Sequence, residues 1–279
     1  MGVDISGYTG IRPGFTGLNY ATNSGDFLIE VAKGNIAGHS LIFKFGRNPD
    51  IDSGSDPEDI WTYGGLYTYP NTAAINYISS SDNADNQEIT VEGLDSDYNP
   101  QSITVTLNGN TKTQIGTGET FLRVFRAFNS DTTEFAGTVY IYENDTTTTP
   151  GVPDTPSKVK AEIRSIDQQT YMALYTAPAG HTALFLGGAI SITVGASAAK
   201  SALVDLLTRF EGKIFRSQEL VGISSSGSSV FSQDLHSLGP LRLPEKTDIK
   251  ARVREVSAND TGVSAYFAIL LIENQYLNI

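Results

Sequence analysis

The sequence predicts an all-β protein: two β-sandwich, jelly-roll-like domains joined by a Thr/Pro linker and preceded by an extended N-terminal arm. Three observations predict it. Short apolar or alternating runs recur at roughly ten-residue spacing and are punctuated by Gly, Asn and Asp, as in many-stranded antiparallel folds. Residues 146–156 read TTTTPGVPDTP, a run that interrupts any regular element. The charge balance changes across that run: 7 Lys and Arg stand against 19 Asp and Glu before residue 151, and 12 against 12 after it, so the formal charge of −12 belongs wholly to the first part. The expected organisation is an arm over 1–25, an acidic sandwich over 26–145, a linker over 146–157 and a near-neutral sandwich over 158–279. Limited proteolysis is expected to cut first in the linker.

Taken in order, 1–25 is rich in Gly, Thr and Asn without a stable period and reads as the arm. Residues 27–33 (FLIEVAK) and 41–45 (LIFKF) are apolar runs separated by Gly34 and Gly38, which predicts two strands and a turn. Residues 46–59 read as a long acidic loop, and 61–69 (WTYGGLYTY) as an aromatic strand broken at a Gly pair. A polar loop over 79–87 precedes a strand at 88–93. In 103–107 (ITVTL) apolar residues and hydroxyls alternate as on a half-buried strand, and Asn108-Gly109 supplies a tight turn. Runs at 121–128 and 138–142 complete the first set.

After the linker, 170–177 leads to a turn at Pro178-Ala-Gly180, then strands at 183–186 and 190–194. The stretch 198–215 is ambiguous. Leu203, Leu206, Leu207 and Phe210 have helical spacing, but only Ser197 precedes them as a cap, so a strand pair turning at Glu211-Gly212 is preferred. Residues 222–229 (GISSSGSS) read as a flexible loop, Pro240 and Pro244 as loop or edge positions, 249–254 as a clean alternation and 265–272 as a buried strand.

Composition excludes several classes. With no Cys there is no disulfide framework, thiol nucleophile or Cys-ligated zinc. A pI near 4.6 argues against direct nucleic-acid binding, which needs concentrated Lys and Arg. No apolar run approaches the length of a membrane span, and no secretory signal is expected. His39, His181 and His236 lack partners at metal-ligand spacing, and no G-x-S-x-G or H-E-x-x-H occurs, so no catalytic residue and no cofactor is assigned.

Two clusters remain. Asp50, Asp52 and Asp56 offer oxygen ligands at near-alternate positions and form a weak calcium-loop pattern, without the Gly and the distal Glu that such a loop needs. Asp95, Asp97 and Asn99 repeat it more weakly. Lys250, Arg252 and Arg254 fall on one strand face, where three cations repel unless something neutralises them. They read either as a solvated edge or as a docking face for an acidic partner.

Segments 30–40 (EVAKGNIAGHS), 43–48 (FKFGRN), 58–67 (EDIWTYGGLY), 121–128 (FLRVFRAF), 178–186 (PAGHTALFL) and 243–253 (LPEKTDIKARV) resemble virion structural proteins of marine tailed bacteriophages. The resemblance is strung along most of 27–272 and includes no active-site motif. It implies a non-enzymatic particle component: a head decoration (cement) protein, a minor capsid protein or a tail part. It also implies contacts with the major capsid protein or other virion proteins, a homo-oligomer (a trimer, by class of protein) and residence in the virion after assembly in the bacterial cytoplasm. The alternative is a tail or fibre module that binds a host receptor or glycan, with Trp61 and exposed tyrosines stacking on sugar rings.

Overall fold

A computed structural model describes residues 24–54, 57–193, 199–225, 231–235 and 239–277. A short helix, α1 (Ser24–Ala32), leads into the long strand β1 (His39–Ile51) and the two-residue β2 (Glu58–Asp59). There follow β3 (Ile75–Ser80), β4 (Glu88–Leu94), β5 (Pro100–Thr106), β6 (Thr113–Gln114), β7 (Arg123–Asn129), β8 (Val139–Glu143) and β9 (Val159–Ile163). These seven build two small antiparallel sheets, ordered β6-β3-β8-β9 and β5-β4-β7. The rest of the chain supplies β10 (Leu174–Thr176), β11 (His181–Thr193), β12 (Lys200–Arg209), β13 (Arg216–Ser225), β14 (Phe231–Leu235), β15 (Leu241–Leu243), β16 (Asp248–Val256) and β17 (Thr261–Glu273).

These later strands combine with β1 and β2 into two larger sheets. One is ordered β1-β17-β11-β14, with β15 also on β11; the other is ordered β10-β16-β12-β13, with β2 on β16. Leaving the inserted small sheets aside, the pairs are nested. β1 pairs β17, β10 pairs β16, β11 pairs β14 and β12 pairs β13, all antiparallel. This is one long hairpin folded over so that successive rungs alternate between two facing sheets.

Period-two alternation explains the core. Val263, Ala265, Phe267, Ile269 and Leu271 of β17 point inward and meet Ile249, Ala251 and Val253 of β16 from the other sheet. The Val, Ile, Leu and Phe side chains among them each contribute up to about 1.5–3 kcal/mol when fully buried. The small sheets enclose a second core that includes Ile78, Ile89, Val91, Phe121, Val124 and Ile141. In α1, Phe27 and Val31 sit one turn apart and cover Leu41, Leu270 and Ile272 on the outer side of the first large sheet.

Several expectations are corrected. The sheets and cores do not divide at 146–157. β8 and β9 pair directly across that segment, β1 pairs the last strand β17, Ile51 and Ile60 join the later core, and Ala161, Ile163, Met172 and Leu174 join the earlier one. The Thr/Pro run is a fastened loop. Asp154 accepts bonds from the Thr146 hydroxyl (2.5 Å), the Thr148 amide (2.8 Å) and the Thr148 hydroxyl (2.6 Å), while Asp145 accepts from the Thr155 amide (2.7 Å) and Lys158 (3.0 Å).

Residues 27–32, expected as a strand, are helical because their apolar side chains have a sheet face to cover. The supposed acidic loop 46–59 begins as the second half of β1 and ends as β2. Residues 61–69 are irregular, touching a strand partner only at the Trp61–Met172 bridge. The runs at 183–186 and 190–194 are one strand, β11, with a bulge between Phe185 and Gly187. Residues 222–225 belong to β13, and the remainder of that expected loop lies outside the described residues. Of the expected arm, 1–23 lies outside them as well, and Ser24 and Gly25 open α1. Of the strand pair expected within 198–215, one strand is there as β12, followed by a turn through Gly212 at φ +69°; its partner β13 starts only at Arg216, beyond the expected bounds.

Candidate functional site

The cationic row is real as a row. Ile249, Ala251 and Val253 face the core, so Lys250, Arg252 and Arg254 share the outer side of β16. That side is largely covered, and its charges are answered inside the chain. Asp59 of β2, itself buried, accepts from Lys250 (2.6 Å), Arg252 (2.8 Å) and the Tyr67 amide (2.7 Å). Burial pushes the Lys250 amine down to about 8, against the opposing pull of Asp59. Arg254 pairs with Asp205 of β12, and its side chain stays 51% exposed.

A second buried carboxylate continues the cluster. Asp248 accepts from Arg123 of β7 (3.0 Å), Arg209 of β12 (2.8 Å) and the Thr176 hydroxyl (2.6 Å). The Tyr69 ring lies under Arg209 at 4.5 Å, Arg123 at 5.0 Å and Lys250 at 5.3 Å, so its π face adds to the neutralisation. Sequence reasoning found the three cations by periodicity. It missed Asp59, Asp205 and Asp248, whose partners lie up to 193 positions away in the chain and leave no local signal.

The weak metal candidate is partly assembled. Asp50 and Asp52 come together with Asp260, all exposed, with ligand oxygens within 4.8 Å of one another. Asp56 lies outside the described residues. The cluster is held by local bonds, with Asp52 accepting from the Asp260 amide (3.0 Å) and Asn259 from Ser53 (2.8 Å). Nothing beyond the carboxylates themselves points to an ion. His39 and His181 each donate from Nδ1 to a carbonyl two residues earlier, Ala37 (2.8 Å) and Ala179 (2.9 Å), as turn histidines do. His236 lies outside the described residues. Trp61 and Tyr67 are buried at 2% and 4% exposure, and Trp61 spends its indole N–H on the Gly65 carbonyl.

Some of the exposed apolar side chains group together as aromatics on one sheet face. Phe43 (71% exposed) and Phe45 (43%) lie two apart on β1, and Tyr266 (59%) sits directly across from Phe45 on β17. Alternation places all three on the outer side of the first large sheet, beyond the part that α1 covers. Tyr171 extends the strip, its ring 4.9 Å from that of Phe45.

No protein-family model matches the chain, and no curated protein matches it in sequence. Among solved structures it is similar to infectious bursal disease virus, Gx strain, at 13% identity and a TM-score of 0.25, covering 86% of this chain and 73% of that one. It is similar to the VP2 subviral particle of infectious bursal disease virus at 12% identity and 0.23, covering 90% and 79%. It is also similar to the naturally occurring empty particles of cowpea mosaic virus at 11% identity and 0.21, covering 71% and 82%.

Proposed function

We propose that this chain is a non-enzymatic structural subunit of a tailed-bacteriophage particle, a head decoration (cement) or minor capsid protein that meets other virion proteins and copies of itself through its surface. The observation that carries the reading is the exposed strip of Phe43, Phe45 and Tyr266. It lies on a chain whose buried Asp59 and Asp248 carboxylates are paired with cations of the same chain. Two further features agree. The nested strand pairing of β1 and the later strands resembles the strand order of a jelly roll, with the small sheets of β3–β9 inserted after β1 and β2. The segments quoted above resemble phage virion proteins.

In this reading the apolar strip supplies the contact at on the order of 25 cal/mol per Å² of apolar surface covered. Arg254, paired with Asp205 but half exposed, is the row member within reach of an acidic partner. A glycan-binding tail module fits less well, because Trp61, the ring named to stack on sugars beside exposed tyrosines, is in the core.

Cryo-electron microscopy of particles assembled with the wild-type chain and with a Phe43→Ser, Tyr266→Ser chain tests this. Density on the head lattice that is lost in the variant is expected. Density at the tail tip alone, or absence of the chain from purified particles, would overturn the reading.

A further inference from the structure

A cleft of about 620 Å³ runs between the first strand of the nested sandwich and the inserted one. Its walls are apolar, with Leu41 and Phe43 of β1, Phe125 of β7 and Tyr175 of β10, and its volume falls within the roughly 300–1,000 Å³ of small-molecule sites. Lys44 lines the same cleft. It is only 8% exposed, and its amine donates to the Phe125 carbonyl. Among the described residues no carboxylate pairs with it. The charges that act on it are Arg126 of β7, which opposes its proton, and Glu92 of β4, which favours it. Those two are already joined to each other at 3.7 Å near the cleft rim. The Tyr175 phenol, raised by burial, is neutral and adds no charge. Whenever the Lys44 amine carries its proton, the cleft therefore holds two cations against one anion, with the better-buried cation unmatched. Buried charges in proteins are normally paired.

We propose that this cleft binds a medium-length aliphatic monocarboxylate, its carboxylate against Lys44 and Arg126 and its chain along Leu41, Phe43 and Phe125. The match is one of charge and of surface: a single negative end completes the unequal count, and an alkyl chain replaces water on the apolar walls. The cleft reaches Phe43, a member of the aromatic strip invoked above, but its test reads small-molecule binding by the isolated chain and so stands or falls separately from the particle role.

One consequence separates this from simple greasy adsorption. Burial and Arg126 hold the free Lys44 amine down to about 7. Above that pH an arriving carboxylate must bring a proton onto the amine, so affinity falls with rising pH, by up to about tenfold per unit.

The test is calorimetric titration of the full-length protein with octanoate and with 1-octanol, below aggregate-forming concentrations, at pH 6, 7, 8 and 9. Octanoate is expected to bind at least tenfold more tightly than octanol at pH 6. Its advantage should decay above pH 7, with proton uptake visible as a heat that changes with buffer. Lys44→Met should abolish the preference for the acid, and Arg126→Met should reduce it. Equal binding of acid and alcohol, a preference indifferent to pH, or no binding of either would overturn the proposal. The acid-against-alcohol comparison on the unaltered protein decides the matter even where Lys44→Met fails to fold.

Discussion

Lys44→Met should stabilise this protein, and by an amount that depends on pH. The amine is lowered from its ordinary 10.5 to about 7, chiefly by burial and then by Arg126. At about 1.4 kcal/mol per pH unit, that corresponds to about 5 kcal/mol by which folding disfavours the charged amine. Methionine fills similar space without a charge, but it leaves the Phe125 carbonyl without its donor, which costs about 1–3 kcal/mol. The net gain is then about 2–4 kcal/mol at pH 6.

The sign follows from linkage. The folded pKa lies below the unfolded one, so between about 7 and 10.5 the unfolded chain holds more protons, and parent stability rises with pH through that window. The burial cost is in full force below pH 7 and gone above 10.5, so the advantage of Lys44→Met should shrink steadily from pH 6 to pH 10. Urea unfolding of both proteins at pH 6, 7.5 and 9 measures it. A variant less stable than its parent at pH 6, or a difference that stays constant with pH, would refute the reasoning.

Arg123→Met removes the partner of a carboxylate that is 3% exposed, across the seam between β7 and β16, and should lose about 3–5 kcal/mol in urea unfolding. Loss below 1 kcal/mol would mean that Arg209 alone satisfies Asp248. The parent should resist trypsin and proteinase K within 146–157 despite its exposed threonines and prolines, whereas Asp154→Ala, which frees three bonds, should be nicked there first. Rapid cutting of the parent at that loop would restore the sequence-based expectation of a linker. Phe43→Ser with Tyr266→Ser should weaken self-association at least tenfold in light scattering without lowering the melting temperature, since both side chains are exposed. An unchanged association constant would remove the aromatic strip from the interface.

What could be read from the sequence was whatever has a short period. The alternation in 103–107 became β5, that in 249–254 became β16, and Asn108-Gly109 turns with Gly109 at φ +55°. The apolar run at 27–33 misled because Phe27 and Val31 at four-residue spacing also suit a helix, and the deciding sheet face (Leu41, Leu270, Ile272) is assembled mostly from the other end of the chain. The Thr/Pro run misled because its breakers are the same residues that fasten a tight loop. Charge asymmetry across it reflects which surfaces are acidic, and strand pairing between residues 39 and 272 crosses it without regard to charge. The cationic row was legible as a face and illegible as a covered one. Nothing near 250 in the sequence announces that Asp59 will lie against it.

That covering raises the question of what the buried charges are for. Apolar residues of matching volume would hold the seam about as firmly, because desolvation consumes much of the Coulomb attraction. What the ions add is register. β2 is two residues long and pairs Asp59 with Arg252 and Glu58 with Val253, far too little backbone to fix its own position. A slip of one residue would set Ile60 opposite Arg252 and leave Lys250, 1% exposed, beside no carboxylate. The penalty for that stranded charge is larger than anything the two-residue ladder contributes, so Asp59 works as a pin that locates β2 on β16. Asp248 does the same across the Arg123 contact, tying β7 to the sheet that β16 and β12 share. Two carboxylates thus set where the inserted sandwich sits. With part of the outer side of the β16 sheet given over to that seat and α1 spread over part of the other sheet, the Phe43–Phe45–Tyr266 strip is an aromatic surface left free to meet another molecule.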